Sequence, residues 1–405
     1  MGPVGPGKLP HPSAGSPDAP HRTYETYEPV RCGDLSLTRK MTMRVRITVA
    51  AALSAALSLS LTACGESGDV GSSGDETVGI AMPTTDSPRW ISDGRSMVDQ
   101  VKGFGYGATL KYAENDPKTQ VEQVEAMIDD GVDALVIAAV DGRAFTDVLR
   151  KAESAKIPVI SYDRLILGSD DVDYYATFDN EQVGELQADF LIEQLGLANG
   201  SAEGPFNLEV FAGSADDNNT GFFFDGAMKI LQPYIDSGEL VVRSGQTKMD
   251  QATTLRWDGV RAEKRMNELL DSHYTNERVD AVLSPYDGMS IGIIKALKSH
   301  GYGGDGGRDL PIITGQDAEV PSVKSIMAGE QTQTVYKDTR ELALITSYMV
   351  NAVVHGKRPA INDTSTYDNG EKVVPAYLLE PVSVDKGNYK KVLIDSDYLK
   401  ASDLR

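Results

Sequence analysis

Cysteine is almost missing: the 405 residues hold two, Cys32 and Cys64. With both thiols that far upstream, the rest of the chain has no disulfide framework and no thiolate metal cluster. Its stability must then come from core burial, which a body of this length supplies, divided between two domains. Basic charge is short as well, with 39 Lys and Arg against 60 Asp and Glu. Beyond residue 63 the balance is 32 to 56, a net of −24. Such a body repels phosphate backbones and anionic membrane surfaces, which argues against a nucleic-acid partner. Histidine beyond residue 63 is limited to His273, His300 and His355. No D-x-[DN]-x-[DN]-G loop occurs, so no structural calcium is expected. The glycine-rich GYGGDGG (301–307) lacks the Gly-Lys-Ser/Thr of a phosphate-binding loop and reads as a loop tip. Neither a metal nor a cofactor is expected.

The apolar run ITVAAALSAALSLSL (47–61), of about 15 residues, is too short to span a bilayer comfortably. It follows the basic RKMTMRVR and ends in Leu61-Thr62-Ala63-Cys64-Gly65. Basic region, apolar region and small-residue site together make a secretory signal over 41–63, and the ending resembles a bacterial lipobox. That resemblance implies cleavage before Cys64 and a diacylglycerol on its sulfur, anchoring the protein to the outer face of the cell membrane. Residues 1–40 read as an unstructured extension or a misplaced start, since Met41 or Met43 could each begin a normal signal peptide. Residues 64–76 form an anchor and a flexible Gly/Ser/acid linker.

From there strand and helix patterns alternate. VGIAM (78–82), ATLKYA (108–113), ALVIAAV (134–140), PVISY (158–162), NLEVFAG (207–213), LVVRSG (240–245), AVLSP (281–285), PIITG (311–315) and TQTVY (332–336) predict buried strands. Amphipathic helices lie between them, as in TQVEQVEAMIDDG, which carries Val121, Val124, Met127 and Ile128 on one face and stops at Gly131. This α/β alternation implies parallel sheets with helices on both faces. Nine strands exceed one comfortable sheet, and a polar connection near ATFDN (176–180) divides them. The expected architecture is two Rossmann-like lobes joined by a hinge, with later segments crossing back between them.

In open parallel sheets, ligands bind beyond the carboxyl ends of the strands. Those ends carry Arg89 and Trp90, Asp163 and Arg164, Asp217, Asn218 and Asn219, Tyr286 and Asp287, Asp317, and Lys337. Trp257, with Trp90 one of only two tryptophans, opens a helix after the LVVRSG loop. Each has an ordinary structural alternative: the aspartates as helix caps, Asp163-Arg164 as a surface pair, either Trp as core. Together they form a pointed set. Carboxylates, amides, Arg and Lys make charge-assisted bonds to vicinal hydroxyls, and aromatic faces suit the C–H side of a sugar ring.

These residues sit in VGIAMPTTDSPRW, ALVIAAVDG, ISYDRLI, YYATFDNEQVG, GSADDNN, LRWDG, LSPYDGMSIG, TGQDAEVPSVKSI and TVYKDTRELA. In these stretches the chain from 77 to 405 resembles the type I periplasmic sugar-binding proteins of ABC importers, in their ChvE-like multiple-sugar and xylose-binding branches. The resemblance implies an inter-lobe cleft for an aldose, of the xylose, glucose, galactose or arabinose type. It implies an N-terminal lobe of 77–179 plus 318–336, and a C-terminal lobe of 180–317 plus 337–405. Arg89 and Trp90 would bind from the first lobe. Asp163, Arg164, Asp217 and Asn219 would contact ring hydroxyls, with Asn218 in the same set or capping the next helix. Trp257 would stack opposite Trp90, and Asp317 and Lys337 would bind near the hinge. Relatives often carry Asn where this chain has Tyr286, so Tyr286 and Asp287 stay open between ligand contact and helix cap. The implied partners are a membrane permease with a separate ATPase subunit and, in some bacteria, a sensor kinase; the protein itself would be a monomer and not an enzyme.

Two rivals deserve statement. Gly288-Met289-Ser290-Ile291-Gly292 matches the G-x-S-x-G nucleophile elbow of a secreted esterase, but only His300 or His355 follows it to complete a triad. A sugar-responsive repressor shares the two-lobed plan, yet residues 39–64 read as a secretion signal where it needs a DNA-binding helix pair. In SADDNNTGFFFDG (214–226) the polar half reads as ligand-binding turn. Three consecutive phenylalanines cannot face one side of a helix, so at least one should line the cleft lip.

Overall fold

The computed structural model describes residues 76–405. The leader, the signal, Cys64 and most of the linker lie outside these residues. No described helix is long and apolar enough to cross a membrane.

The first lobe opens with β1 (Thr77–Met82), α1 (Pro88–Gly103), β2 (Gly107–Tyr112), α2 (Pro117–Asp129), β3 (Ala134–Ile137), α3 (Thr146–Ala155), β4 (Val159–Tyr162) and β5 (Tyr174–Phe178). Short apolar runs become strands because both of their faces are buried. Val78, Ile80 and Met82 enter the core under α1, while Ala81 enters the one under α2 and α3. Helix boundaries follow local chemistry. At α2 the Asp116 carboxylate accepts from the Lys118 and Thr119 amides, Pro117 holds the first helical position, and Gly131 turns the chain at φ +76°.

The second lobe contains α4 (Asn180–Gln194), β6 (Phe206–Val210), α5 (Asn219–Ser237), β7 (Leu240–Val241), α6 (Met249–Ala252), α7 (Gly259–His273), β8 (Ala281–Leu283), α8 (Asp287–Ser299), β9 (Ile312–Ile313), α9 (Val320–Ala328) and β10 (Gln333–Tyr336). Then follow α10 (Thr339–Val354), β11 (Ala376–Leu379) and β12 (Val382–Asp385). One parallel sheet has the order β11-β5-β4-β3-β1-β2 and the other β7-β6-β8-β9, while β10 and β12 form an antiparallel pair. The result is two Rossmann-like α/β lobes.

The late segments join the lobes in the opposite sense to that expected. Residues 318–336 extend the second lobe: Val335 N donates to Gly315 O, and α9 packs beside α8. Helix α10 and β11 return to the first lobe. Leu342, Ala343, Met349 and Val350 share a core with Val78, Ile80 and Trp90, and β11 pairs in parallel with β5. Only β12 and the residues after it rejoin the second lobe. The ATFDN stretch, expected as a polar connection, is largely strand β5, and the chain crosses just after it. Crossings therefore fall at three places: Phe178 to Asn180, Tyr336 to Thr339, and Leu379 to Val382. Which lobe a late segment joins is decided by non-local pairing, which the local apolar pattern does not carry.

Helices α4 and α5 lie unusually close. A Cβ on Gly184 would come 2.0 Å from Phe223 O, and one on Gly226 would come 2.2 Å from Glu181 O. That approach sets the start of α5 against the first crossing, where the site is built.

Candidate functional site

The strand ends of both lobes face a cavity of about 320 Å³. From the first lobe it is lined by Arg89, Trp90, Asp163 and Arg164, and from the second by Asp217, Asn219, Trp257 and Tyr286. Asp317 and Lys337 also line its wall.

At its floor, one guanidinium meets three carboxylates. Arg89 Nη2 is in direct contact with Asp163 Oδ2, Nη1 lies 3.6 Å from Asp317 Oδ2, and Nε lies 3.5 Å from Asp93 Oδ2. Lys337, 1% exposed, places Nζ 3.2 Å from Asp317 Oδ1 and 3.8 Å from Asp163 Oδ2. Burial alone would raise the Asp163 carboxyl, but Arg89, Lys337 and Arg164 outweigh it and hold it at about 2. Burial would lower Arg89, yet Asp163, Asp317 and Asp93 keep it well above its ordinary value. Among the described residues Asp93 has only Arg89 as a cationic partner, and burial pushes it up to about 7. These charges are preorganised by one another.

Asp163 has φ +59° and Asp317 φ +92°, a left-handed conformation that costs a non-glycine residue about 1 kcal/mol or more. At Asp163 the surroundings over-determine the turn. Its carbonyl lies 2.5 Å from the Tyr175 hydroxyl and accepts from Thr177 Oγ1 at 3.0 Å and from Asn219 Nδ2 at 2.8 Å. Asn219 belongs to the other lobe, so the turn is also an inter-lobe contact. Others are Arg164 Nε to Asp217 Oδ2 at 2.9 Å and Ser87 Oγ to Glu319 Oε1 at 3.0 Å.

Both tryptophans reach the cavity, one from each lobe. The Arg89 and Arg164 guanidinium carbons lie 4.6 and 5.1 Å from the Trp90 ring centre. Trp257 stands edge-on to Phe223 and Tyr286, at 6.1 and 6.2 Å between ring centres. The far edge of its ring occupies the space over Gly213, where a Cβ would lie 2.0 Å from Cη2. The phenylalanine triplet divides as helix geometry demands. Phe222 crosses to Tyr367 of the first lobe at 4.8 Å, Phe223 lines the cavity, and Phe224 enters the second-lobe core.

Two expected residues do not line the cavity. Asp287 is fully buried at the start of α8, where its carboxylate accepts from Glu319 N at 2.9 Å and Gln331 Nε2 at 2.8 Å. Its side chain turns toward the 315–319 loop, so it is a structural acceptor and the ligand-contact alternative is dropped. Asn218 precedes α5 with helical backbone angles and no side-chain capping bond, and it is absent from the wall that Asp217 and Asn219 share. The Ser290 hydroxyl is buried 2.7 Å from Thr314 O and 2.8 Å from Ser284 Oγ. Meanwhile His300 faces Asp271 and Ala296, and His355 Nδ1 faces Asn351 O, so no triad assembles around Ser290.

Residues 78–358 match the sequence profile of the periplasmic binding protein domain. The chain belongs to that family. It is similar to the multiple sugar-binding periplasmic receptor ChvE of Rhizobium radiobacter, 59% identical over 329 residues that cover 81% of this chain and 92% of the relative. It is 35% identical to the D-xylose-binding periplasmic protein of Escherichia coli over 327 residues, 81% of this chain and 92% of that one. Among solved structures, an ABC transporter solute-binding protein from Clostridium phytofermentans with bound β-D-glucose matches at a TM-score of 0.78 and 44% identity, covering 82% of this chain and all of the other. The two-lobed fold is the type I arrangement of the family.

Strand-end reasoning missed several wall residues. Thr84, Asp86 and Ser87 lie in the loop before Arg89, Asn115 follows β2, and Arg256 and Asp258 flank Trp257. All lie near loops that the strand-end rule already marks.

Proposed function

We propose that this chain binds aldose monosaccharides, of the xylose, glucose, galactose or arabinose type, in the cleft between its lobes and hands them to an ABC permease driven by a separate ATPase. The observation that carries this is the pairing of a buried Arg89–Asp163–Lys337–Asp317 lattice with two tryptophans from opposite lobes. The lattice presents fixed charged donors and acceptors to vicinal hydroxyls, and the indoles offer apolar faces to ring C–H groups. The sugars bound by its relatives support the same choice. The protein acts outside the cytoplasm, held to the cell membrane through a lipid on Cys64, as a monomer and without catalysis. A second role, presenting sugar to a sensor kinase, is favoured by the likeness to a protein named a receptor.

Calorimetry with D-glucose, D-galactose, D-xylose and L-arabinose tests the binding step. Micromolar or tighter binding of at least one is expected, and no heat with any would sink the reading. Mass spectrometry of the protein from its native membrane tests the anchor: a diacylglyceryl Cys64 at the new N-terminus is expected.

A further inference from the structure

We infer that Gln316 is a specificity-determining residue of the cleft, its side-chain amide reading one hydroxyl of the bound sugar. This rests on the sugar-binding function proposed above and adds to it the group that recognises a single ring position.

Gln316 lines the cavity and is 3% exposed. Among the described residues no hydrogen bond reaches its amide, and its Oε1 is buried without a partner. A buried amide left in that state is costly, and native interiors seldom keep one without a reason. Two of its neighbours are already engaged. Asp317 is held by Lys337 and Arg89, and the Tyr286 hydroxyl lies 3.0 Å from Glu319 Oε1. Gln316 therefore contributes a neutral amide without a partner to a wall otherwise built from paired charges.

Its backbone is fixed as firmly as its side chain is free. Gln316 O accepts from Asp287 N at 3.1 Å, residue 316 bridges Val335, and Asp317 N donates to Val335 O at 2.8 Å. The left-handed turn at Asp317 and Ala318, φ +92° and +49°, follows directly. The amide thus starts from a rigid point, so little freedom is lost when it takes a partner. A hydroxyl both donates and accepts, and an amide carries an acceptor and two donors, so the match holds whichever way the amide is turned.

The test is a cycle between protein and ligand. Wild type, Gln316→Leu and Gln316→Met are titrated with D-glucose and with its 2-, 3-, 4- and 6-deoxy analogues. Both variants keep the side chain's bulk, so the second stands in should the first fail to fold. The variants should lose about ten- to a hundredfold in glucose affinity. For one analogue, the one lacking the hydroxyl that Gln316 reads, wild type and variant should bind alike. A loss equal for every analogue, or no loss at all, overturns the assignment while leaving sugar binding intact. Wild type that binds no glucose and none of the other aldoses overturns the sugar reading, and this assignment with it.

Discussion

Arg164 and Asp217 join the two lobes: Nε of the arginine lies 2.9 Å from Oδ2 of the aspartate, and both side chains are largely withdrawn from water. Arg164 also donates to Ala139 O at 3.1 Å and lies over Trp90, so its first-lobe position is fixed before the second lobe meets it. Burial raises Asp217, with Arg164 partly offsetting, so the carboxylate depends on its partner to stay charged. The pair is placed to clasp the cleft as well as to line it.

Arg164→Ala should therefore weaken sugar binding by about ten- to a hundredfold, since a buried carboxylate losing its cation costs several kcal/mol. The cooperative unfolding transition should survive, because no core side chain is removed. Calorimetry and a thermal melt read the two effects separately; a protein that no longer unfolds cooperatively would contradict the placement at the cleft.

Trp257 depends on a glycine. With Gly213→Ala, the new Cβ enters the space of the indole edge, whose nearest atom stands 2.0 Å from that position. The ring must leave its seat between Phe223 and Tyr286. Trp257→Ala and Gly213→Ala should then lower sugar affinity in parallel, each by about tenfold, with folding retained. Fluorescence adds a check, since a displaced Trp257 in the Gly213→Ala protein should show red-shifted emission. An unchanged affinity in that variant would mean the indole does not meet the ligand.

Much of this site was legible beforehand. Strand-end residues such as Arg89, Asp163 and Asp317 are placed at the cavity as the parallel-sheet rule leads one to expect. The lobe assignment of α10 and β11 was not legible. Both are ordinary amphipathic or apolar runs, and whether Leu342 packs on Val78 or on the other sheet is a matter of tertiary pairing. Asp287 shows the same limit at one residue. It follows a strand as Asp163 does, yet its carboxylate turns toward the amide of Glu319 rather than the cleft, and only side-chain direction separates the two.

Asp93 supplies a pH test. Burial lifts it to about 7, against Arg89, which favours its charge. The unfolded chain releases this proton near pH 4, while the folded protein holds it to about pH 7. Within that window the folded state binds more protons, so stability falls as pH rises, by up to roughly 1.4 kcal/mol per pH unit, and levels off above it. Asp93→Asn removes this dependence. Relative to wild type the variant should gain stability between pH 5 and pH 8, seen as a difference in urea midpoints. Parallel pH profiles for the two proteins would show that Asp93 does not hold the proton.

Lys337 tests the lattice from the opposite sign. Asp163 has its folded value depressed to about 2, so its pairing stabilises the protein above pH 4 and is lost as pH falls through that range. Lys337 is the cation after Arg89 in holding it down, and it also faces Asp317. Lys337→Met keeps most of the stem but removes the ammonium, which lies 5.6 Å from the Phe178 and Phe223 ring centres, and leaves Asp163 and Asp317 to share the Arg89 guanidinium with Asp93. Stability at pH 7 should drop by about 3–5 kcal/mol. The loss should shrink as pH falls, because the stranded carboxylate takes up a proton at a higher pH than in wild type. Adding Asp317→Asn to Lys337→Met removes the uncompensated charge and should recover part of the stability at pH 7 without restoring sugar affinity. Recovery of both would mean that the lattice only holds the fold together; recovery of neither would mean that the lysine acts through something other than its charge.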